Sequence, residues 1–247
     1  MIPTSIPERP SHKPYRGPVT LDDLDALTAL RRMSGLAPGE QGTVSISTGA
    51  TSIRHFMSEA IVEFRFRHPR ASLEFRTAST SEDCLSALLK DDADLAWVTT
   101  ADPLPGIEQR PVLEMPWVLA MRDGDAYADR AWVEVRELSG LRLIRPPEGS
   151  TSGSKLAAAL ADVSLAPDAG AADWDTALVL AELGVGHAIL PALPGWRELG
   201  DGGARLVQLR GLPPLSVGWA ARSWDALSTP ARSFADAVRR NLRTWAA

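Results

Sequence analysis

Apolar and polar residues alternate at the start of the interpretable pattern. Val44 and Ile46 fall between Thr43, Ser45 and Ser47, the two-residue period of a strand. From Ile53 the period changes: Ile53, Phe56, Met57, Ala60, Ile61 and Phe64 recur at helical spacing and make one apolar face. The stretch from Gly42 to Pro69 therefore predicts a strand, a tight polar turn and an amphipathic helix that Pro69 stops. A second strand is predicted over Ser72 to Thr77. A second helix follows, with Cys84, Leu85, Leu88 and Leu89 on its apolar face and a capping box in which Ser79 is the cap and Glu82 reaches back. Asp94 to Val98 reads as a short buried strand ending in Thr99 and Thr100. This order is βαβαβ, which implies a parallel sheet with right-handed crossovers.

The pattern continues more irregularly. Leu104 to Arg110 reads as a loop, and Trp117 to Met121 as a strand that crosses into a second lobe. Leu141 to Arg145 is a further strand, followed by a small polar loop over Pro146 to Ser154 and a helix over Lys155 to Asp162. Asp173 is placed to cap a helix over Trp174 to Leu183, which Gly184 ends. Val185 to Leu190 is a buried strand closed by Pro191, and Leu206 to Leu209 another. Leu215 to Ala220 is a strand able to return to the first lobe. Ser228 or Thr229 caps a closing helix, Pro230 suits its first position, and Phe234, Val238, Leu242 and Trp245 form its face. Ahead of all this, Pro3, Pro7, Pro10, Pro14 and Pro18 argue for an extended head. Leu21, Leu24, Leu27 and Leu30 then make one face of a short helix.

The polar turns carry the candidate chemistry. Thr48 to Ser52, Ser79 to Ser81 and Thr99 to Thr100 all sit at carboxyl ends of strands, the edge at which open α/β sheets bind ligands. A polar turn before a helix also offers free N–H groups and the positive end of the helix dipole to an anion. Composition narrows the partner. The formal net charge is −5, and the densest basic clusters are the pairs Arg31-Arg32 and Arg239-Arg240, so no basic stripe suggests nucleic acid. Cys84 is the only cysteine, which excludes an internal disulfide and a Cys-rich zinc site. The first residues lack the apolar core of a signal peptide, and no apolar run is long enough to span a bilayer, so the expected location is cytoplasmic, with no membrane partner.

Four segments, in order, resemble the effector-binding domain of LysR-type transcriptional regulators. They are the entry strand Gly39 to Ile46, the turn Phe64 to Glu74, the segment Leu88 to Ala96 with Asp91 where glycine is usual, and the strand Leu183 to Pro191. The resemblance runs roughly from Gly39 to Leu242. It implies an α/β, two-lobed type 2 periplasmic-binding-protein-like fold, each lobe a mostly parallel sheet flanked by helices, joined by two crossover strands. The implied division is a head over residues 1–41, lobe I over 42–116 plus 217–247, and lobe II over 117–216. Family members also carry a winged helix-turn-helix and a linker helix. Only Met1 to Gln41 precede the resemblance here, with Leu21 to Met33 as a possible linker-helix remnant. The expectation is a sensing domain without its own DNA-reading module: a shortened form, a diverged stand-alone protein or a scaffold turned to another use.

The expected ligand is a small anionic metabolite held between the lobes. Thr48, Thr51, Ser79, Ser81 and Thr99 would line one side, and Ser150, Thr151 and Asp173 the other. Trp174 would either stack on a planar ligand or pack beneath an inter-lobe loop. Taken singly, each hydroxyl reads first as a cap or turn former; their joint placement at strand ends is what groups them. The rival reading is an enzyme on the same scaffold, a dehydratase or cyclase using His55, Asp173 or Glu148 as acid and base. A third is an interaction protein forming mixed oligomers with full-length regulators; the resemblance itself implies a head-to-tail dimer. No cofactor or metal is expected, since no GxSxG, HExxH or P-loop is present. His187 is expected to be buried and hydrogen-bonded, Trp97, Trp117 and Trp219 to be core, and Cys84 to be inert.

Overall fold

The computed structural model describes residues 42–145, 150–164, 166–171, 173–194 and 203–245. The proline-rich head, its short helix and Glu148 lie outside the described residues. The elements run β1 (Gly42–Thr48), α1, β2 (Ala71–Thr77), α2 (Ser81–Leu89), β3 (Leu95–Thr99), β4 (Glu108–Met115) and β5 (Trp117–Arg122). They continue with β6 (Trp132–Glu134), β7 (Arg142–Arg145), α3 (Thr151–Ala159), β8 (Ala166–Gly170), α4 (Trp174–Glu182), β9 (His187–Pro191), β10 (Ala204–Arg210), β11 (Leu215–Ala221) and α5 (Thr229–Trp245). Helix α1 is composite: Ala50–Ser52, a wider π turn over Ile53–Met57, and Ser58–Arg67.

The strands form two sheets. The first has the order β2-β1-β3-β11-β4 and the second β6-β10-β5-β9-β7-β8. In the first, β1 pairs in parallel with both β2 and β3, as a βαβαβ unit requires, and β11 returns antiparallel between β3 and β4. The chain leaves this lobe where β4 passes through Pro116 into β5, and comes back where β10 passes through residues 211–214 into β11. The Trp117 indole donates to the Pro213 carbonyl at 2.9 Å and ties the two crossings together.

Hydrophobic burial explains the layers. Val44 and Ile46 are fully buried in β1, while α5 lays Phe234, Val238 and Leu242 onto the first sheet at four-residue intervals. Phe234 meets Phe64, Phe75 and Trp219 edge-on, with ring centroids 5.6, 6.2 and 6.0 Å away. Trp97, Trp117 and Trp219 are each no more than 3 % exposed, as their strand positions predict.

Several boundaries differ from the sequence expectation. Helix α2 is capped by Thr80, whose hydroxyl oxygen accepts the Asp83 N–H at 3.0 Å and donates to the Asp83 carboxylate at 2.7 Å, so the cap lies one residue after Ser79 and the acidic partner is Asp83, not Glu82. Helix α3 begins four residues early: Ser150 caps it by accepting the Gly153 N–H at 3.0 Å, and the small residues read as loop form its first turn. Residues Glu108 to Arg110, expected in a loop, open β4. Neither β6 nor β8 shows an alternating pattern in the sequence. All three of these strands lie at sheet edges, where one flank faces solvent and proline is tolerated. Asp91 occupies the position where the resemblance has glycine and adopts φ 62°, the left-handed region that Asp tolerates better than most residues. Its carboxylate pairs with Arg222.

Candidate functional site

A cleft of about 420 Å³ opens between the two lobes. That volume lies within the range of small-molecule sites. Gly49 to Ser52, Thr77 to Ser81 and Thr99 line it from the first lobe; Ser150 to Ser152, Asp173 and Trp174 line it from the second. Of the nine residues expected at a ligand, eight come together here: Thr51, Ser79, Ser81, Thr99, Ser150, Thr151, Asp173 and Trp174. Thr48 is a correction. It is fully buried behind the wall, with its hydroxyl turned to the Gly49 carbonyl at 3.4 Å. Thr48 is the last residue of β1 and shares the buried face of Val44 and Ile46, so the lining begins one residue later, at Gly49.

Four helices point their N-termini at this space, and three are capped by side chains. Thr80 caps α2, Ser150 caps α3, and Asp173 caps α4 by accepting the Thr176 N–H at 2.7 Å. Asp173 also accepts the Thr176 hydroxyl at 2.9 Å, so both of its oxygens turn into their own helix. Ser81 accepts the Thr99 N–H at 3.1 Å and closes the gap between α2 and β3. Helix α1 differs: its cap position is Gly49, which has no side chain to offer, so the first N–H groups of α1 face the cleft without a side-chain acceptor.

The remaining lining is apolar. Phe56, Trp97, Met115, Pro191, Leu193, Leu215 and Val217 were not anticipated at the site, because each reads in sequence as ordinary core. Phe56 and Trp97 stack at 5.2 Å, and Trp174 packs edge-on against Trp117 at 6.3 Å while still facing the cleft. Both readings of Trp174 therefore hold in part. Cys84 also borders the cleft but is 2 % exposed, and burial pushes its thiol up from the ordinary range, away from nucleophilic use. Among the described residues, the only charged side chain lining the cleft is Asp173.

The acid and base candidates do not assemble. His55 lies outside the cleft lining, in the seam between the lobes. Its Nε2 is 2.9 Å from Asp175 Oδ1 and its Nδ1 is 3.2 Å from the Pro194 carbonyl. Asp173 is committed to Thr176. His187 is 15 % exposed, near Asp125 Oδ2 at 3.3 Å and the Arg142 carbonyl at 3.4 Å. Among the described residues no group of three or more His, Cys, Asp or Glu side chains could hold a metal, and no helix is long and apolar enough to cross a membrane.

Comparison with known proteins fits this geometry. The sequence profile of the LysR substrate binding domain matches residues 37–243. The chain belongs to the LysR substrate-binding domain family. This family domain is 28 % identical over 160 residues to the uncharacterized HTH-type transcriptional regulator YbhD of Escherichia coli K12. The match covers 62 % of this chain and 49 % of that regulator, so it spans about half the length of the relative. Two solved structures share the fold. The effector-binding domain of QuiR in complex with shikimate has a TM-score of 0.70 at 14 % identity, covering 83 % of this chain and 99 % of that one. The effector-binding domain of BenM with its effector benzoate has a TM-score of 0.68 at 16 % identity, covering 84 % and 95 %. The LysR substrate-binding domain described here thus has the two-lobed architecture of domains solved with small carboxylates bound.

Proposed function

We propose that this LysR-family domain senses a small monocarboxylate with an apolar body, bound between the lobes, and that lobe closure reports its presence to a transcriptional regulator in the cytoplasm. The observation that carries this reading is the uncapped N-terminus of α1, facing a cleft that is polar on its walls and aromatic within. Backbone N–H groups and hydroxyls would hold the carboxylate, with help from the helix dipole. Phe56, Trp97 and Trp174 would bury the body. With no Lys, Arg or His among the described lining residues, the site suits one negative charge better than two. The moving bodies in this reading are residues 42–116 with 217–247, and 117–216. Ligand binding would shift a population between open and closed arrangements. The enzyme reading finds no support in the site, since His55 and Asp173 already have protein partners elsewhere.

Thermal unfolding across a panel of small carboxylates, benzoate and shikimate included, tests this. A true ligand at 100 times its Kd raises stability by about 2.7 kcal/mol, with no turnover detectable by mass spectrometry. Thr51→Val keeps the side-chain shape but removes a hydroxyl from the α1 terminus. It is expected to weaken the carboxylate about tenfold, the effect of one hydrogen bond to a charged group, while the ligand-free melting temperature stays within a degree or two. If no carboxylate shifts the melting temperature, the reading fails.

The partner we propose is a second copy of the chain, alone or within mixed oligomers with longer regulators. Its support is a pair of apolar stripes on opposite lobes. Val62 and Phe66 on α1 are 71 % and 89 % exposed, and Val179 on α4 and Leu183 at its C-cap are 50 % and 72 % exposed. In each pair the residues are one turn apart, and a head-to-tail arrangement with two-fold symmetry would lay one stripe on the other twice. Phe66→Glu is expected to convert a dimer to monomer in sedimentation velocity without lowering the melting temperature of the monomer. An unchanged sedimentation coefficient would exclude this face.

A further inference from the structure

The cleft holds a polar group that the carboxylate of a ligand cannot satisfy. Among the described residues Asp173 is the only charged side chain in the lining, and no Lys, Arg or His stands there to balance it. Its Oδ1 accepts the Thr176 N–H at 2.7 Å, and its Oδ2 accepts the Thr176 hydroxyl at 2.9 Å. A carboxylate can accept about four hydrogen bonds, so Thr176 uses half of that capacity. Capping alone does not require the charge, because Thr80 and Ser150 cap α2 and α3 at the same cleft with neutral hydroxyls. Two other charged groups near the cleft are engaged elsewhere. Lys155 crosses between the lobes to donate to the Thr100 carbonyl and is not in the lining, and Asp175 faces His55 in the seam.

A ligand that fills the cleft takes water away from this carboxylate. Asp173 is half-buried, so solvent still serves the acceptor positions that Thr176 leaves over. A purely anionic ligand would replace that solvent with apolar surface or with a second negative charge. Stripping water from a charge without giving it a partner is strongly unfavourable. A donor on the ligand removes this cost, and a cationic donor also cancels the charge. Trp174 adjoins Asp173 on the same wall, and an indole ring attracts a cation to its face. Carboxylate and indole side by side suit an ammonium better than a hydroxyl.

We infer that the ligand is an amino acid: its carboxylate lies at the start of α1, its ammonium pairs with Asp173 beside Trp174, and its apolar body fills the aromatic space. This rests on the reading that the cleft holds a carboxylate, and it adds the second polar group of the same ligand. The charges agree. The cleft offers one fixed negative side chain and the partial positive charge of the helix N-termini, and an amino acid carries the complement of both. Asp173 thus sets specificity through a direct contact with the ligand and takes no part in acid or base chemistry.

Matched pairs of probes isolate the ammonium from the rest of the ligand. Phenylalanine is set against hydrocinnamate, and para-(aminomethyl)benzoate against para-methylbenzoate. The first pair places the two charges on neighbouring carbons, the second at opposite ends of a ring. Dissociation constants are measured by titration calorimetry on the wild type and on Asp173→Asn. Asparagine caps a helix as well as aspartate does, so the variant keeps the fold while losing the charge. In at least one pair the amino member is expected to bind the wild type about tenfold tighter than its amine-free twin, the effect of one charged hydrogen bond. In Asp173→Asn that member weakens by about tenfold while the twin, relieved of a negative neighbour, tightens. A residue that only caps α4 would shift both members the same way. Two results would overturn the inference: no preference for the amino member in either pair, absence of binding included, or a preference that survives Asp173→Asn. The sensing function is judged separately by the plain carboxylates of the thermal panel, so it can stand when the amino acid falls.

Discussion

Phe234→Ala is expected to lower stability by about 3–5 kcal/mol, the cost of deleting a buried aromatic ring and leaving the space unfilled. Phe234 is fully buried and is the ring that ties the closing helix to three other elements: Phe64 of α1, Phe75 of β2 and Trp219 of β11 all meet it. None of these can move into the space without abandoning its own strand or helix position. At about 2–4 °C per kcal/mol for a chain of this size, the melting temperature should fall by roughly 10 °C. Phe234→Leu keeps most of the volume and should recover more than half of the loss. Calorimetry of both variants decides the matter, and a fall of only a degree or two in the alanine variant would show that the closing helix does not organise the first lobe. The cleft would be affected only indirectly, because among the described residues none of α5 lines it.

The second large effect is expected at the crossing between the lobes. Gly218 sits in β11 where its register against β4 shifts by one residue. A Cβ added there would lie inside the contact distance of the Arg110 carbonyl oxygen and 2.8 Å from the Pro111 Cα, both backbone atoms that cannot swing aside. Gly218→Ala must therefore push β4 and β11 apart, at the upper end of the roughly 1–3 kcal/mol that overpacking costs. These two strands also carry the chain into and out of the second lobe. The same substitution should thus change the relation between the lobes, where a surface change of equal cost would not. Carboxylate affinity is expected to fall at least about tenfold in Gly218→Ala, while a variant destabilised equally at an exposed site keeps its affinity. Equal affinities in the two variants would show that the crossing strands do not set the cleft.

Much of this organisation is visible in the residues alone. The alternation at Val44 and Ile46, the helical face from Ile53 to Phe64 and the caps at Asp173 and Ser228 each have a local cause, so each could be read without the fold. The eight hydroxyl, acid and tryptophan positions that meet in the cleft were legible for a related reason: they stand at strand ends, and a parallel sheet brings its strand ends together. What escaped the reading depends on distant neighbours. Strands β4, β6 and β8 lie at edges, where one flank is exposed and the alternating signal fades. The apolar cleft residues Met115, Leu215 and Val217 look like core until two lobes leave a gap above them. His55 looks like a lone helix histidine until Asp175, 120 positions away, is placed against it.

The most direct test of the account is a crystal structure of the protein grown with the carboxylate that gives the largest thermal shift. The account predicts ligand density between the lobes, with the carboxylate oxygens within hydrogen-bonding distance of the Ala50 and Thr51 N–H groups and the apolar body against Trp97 and Trp174. An unoccupied cleft at saturating ligand, or a carboxylate seated away from the start of α1, would contradict it.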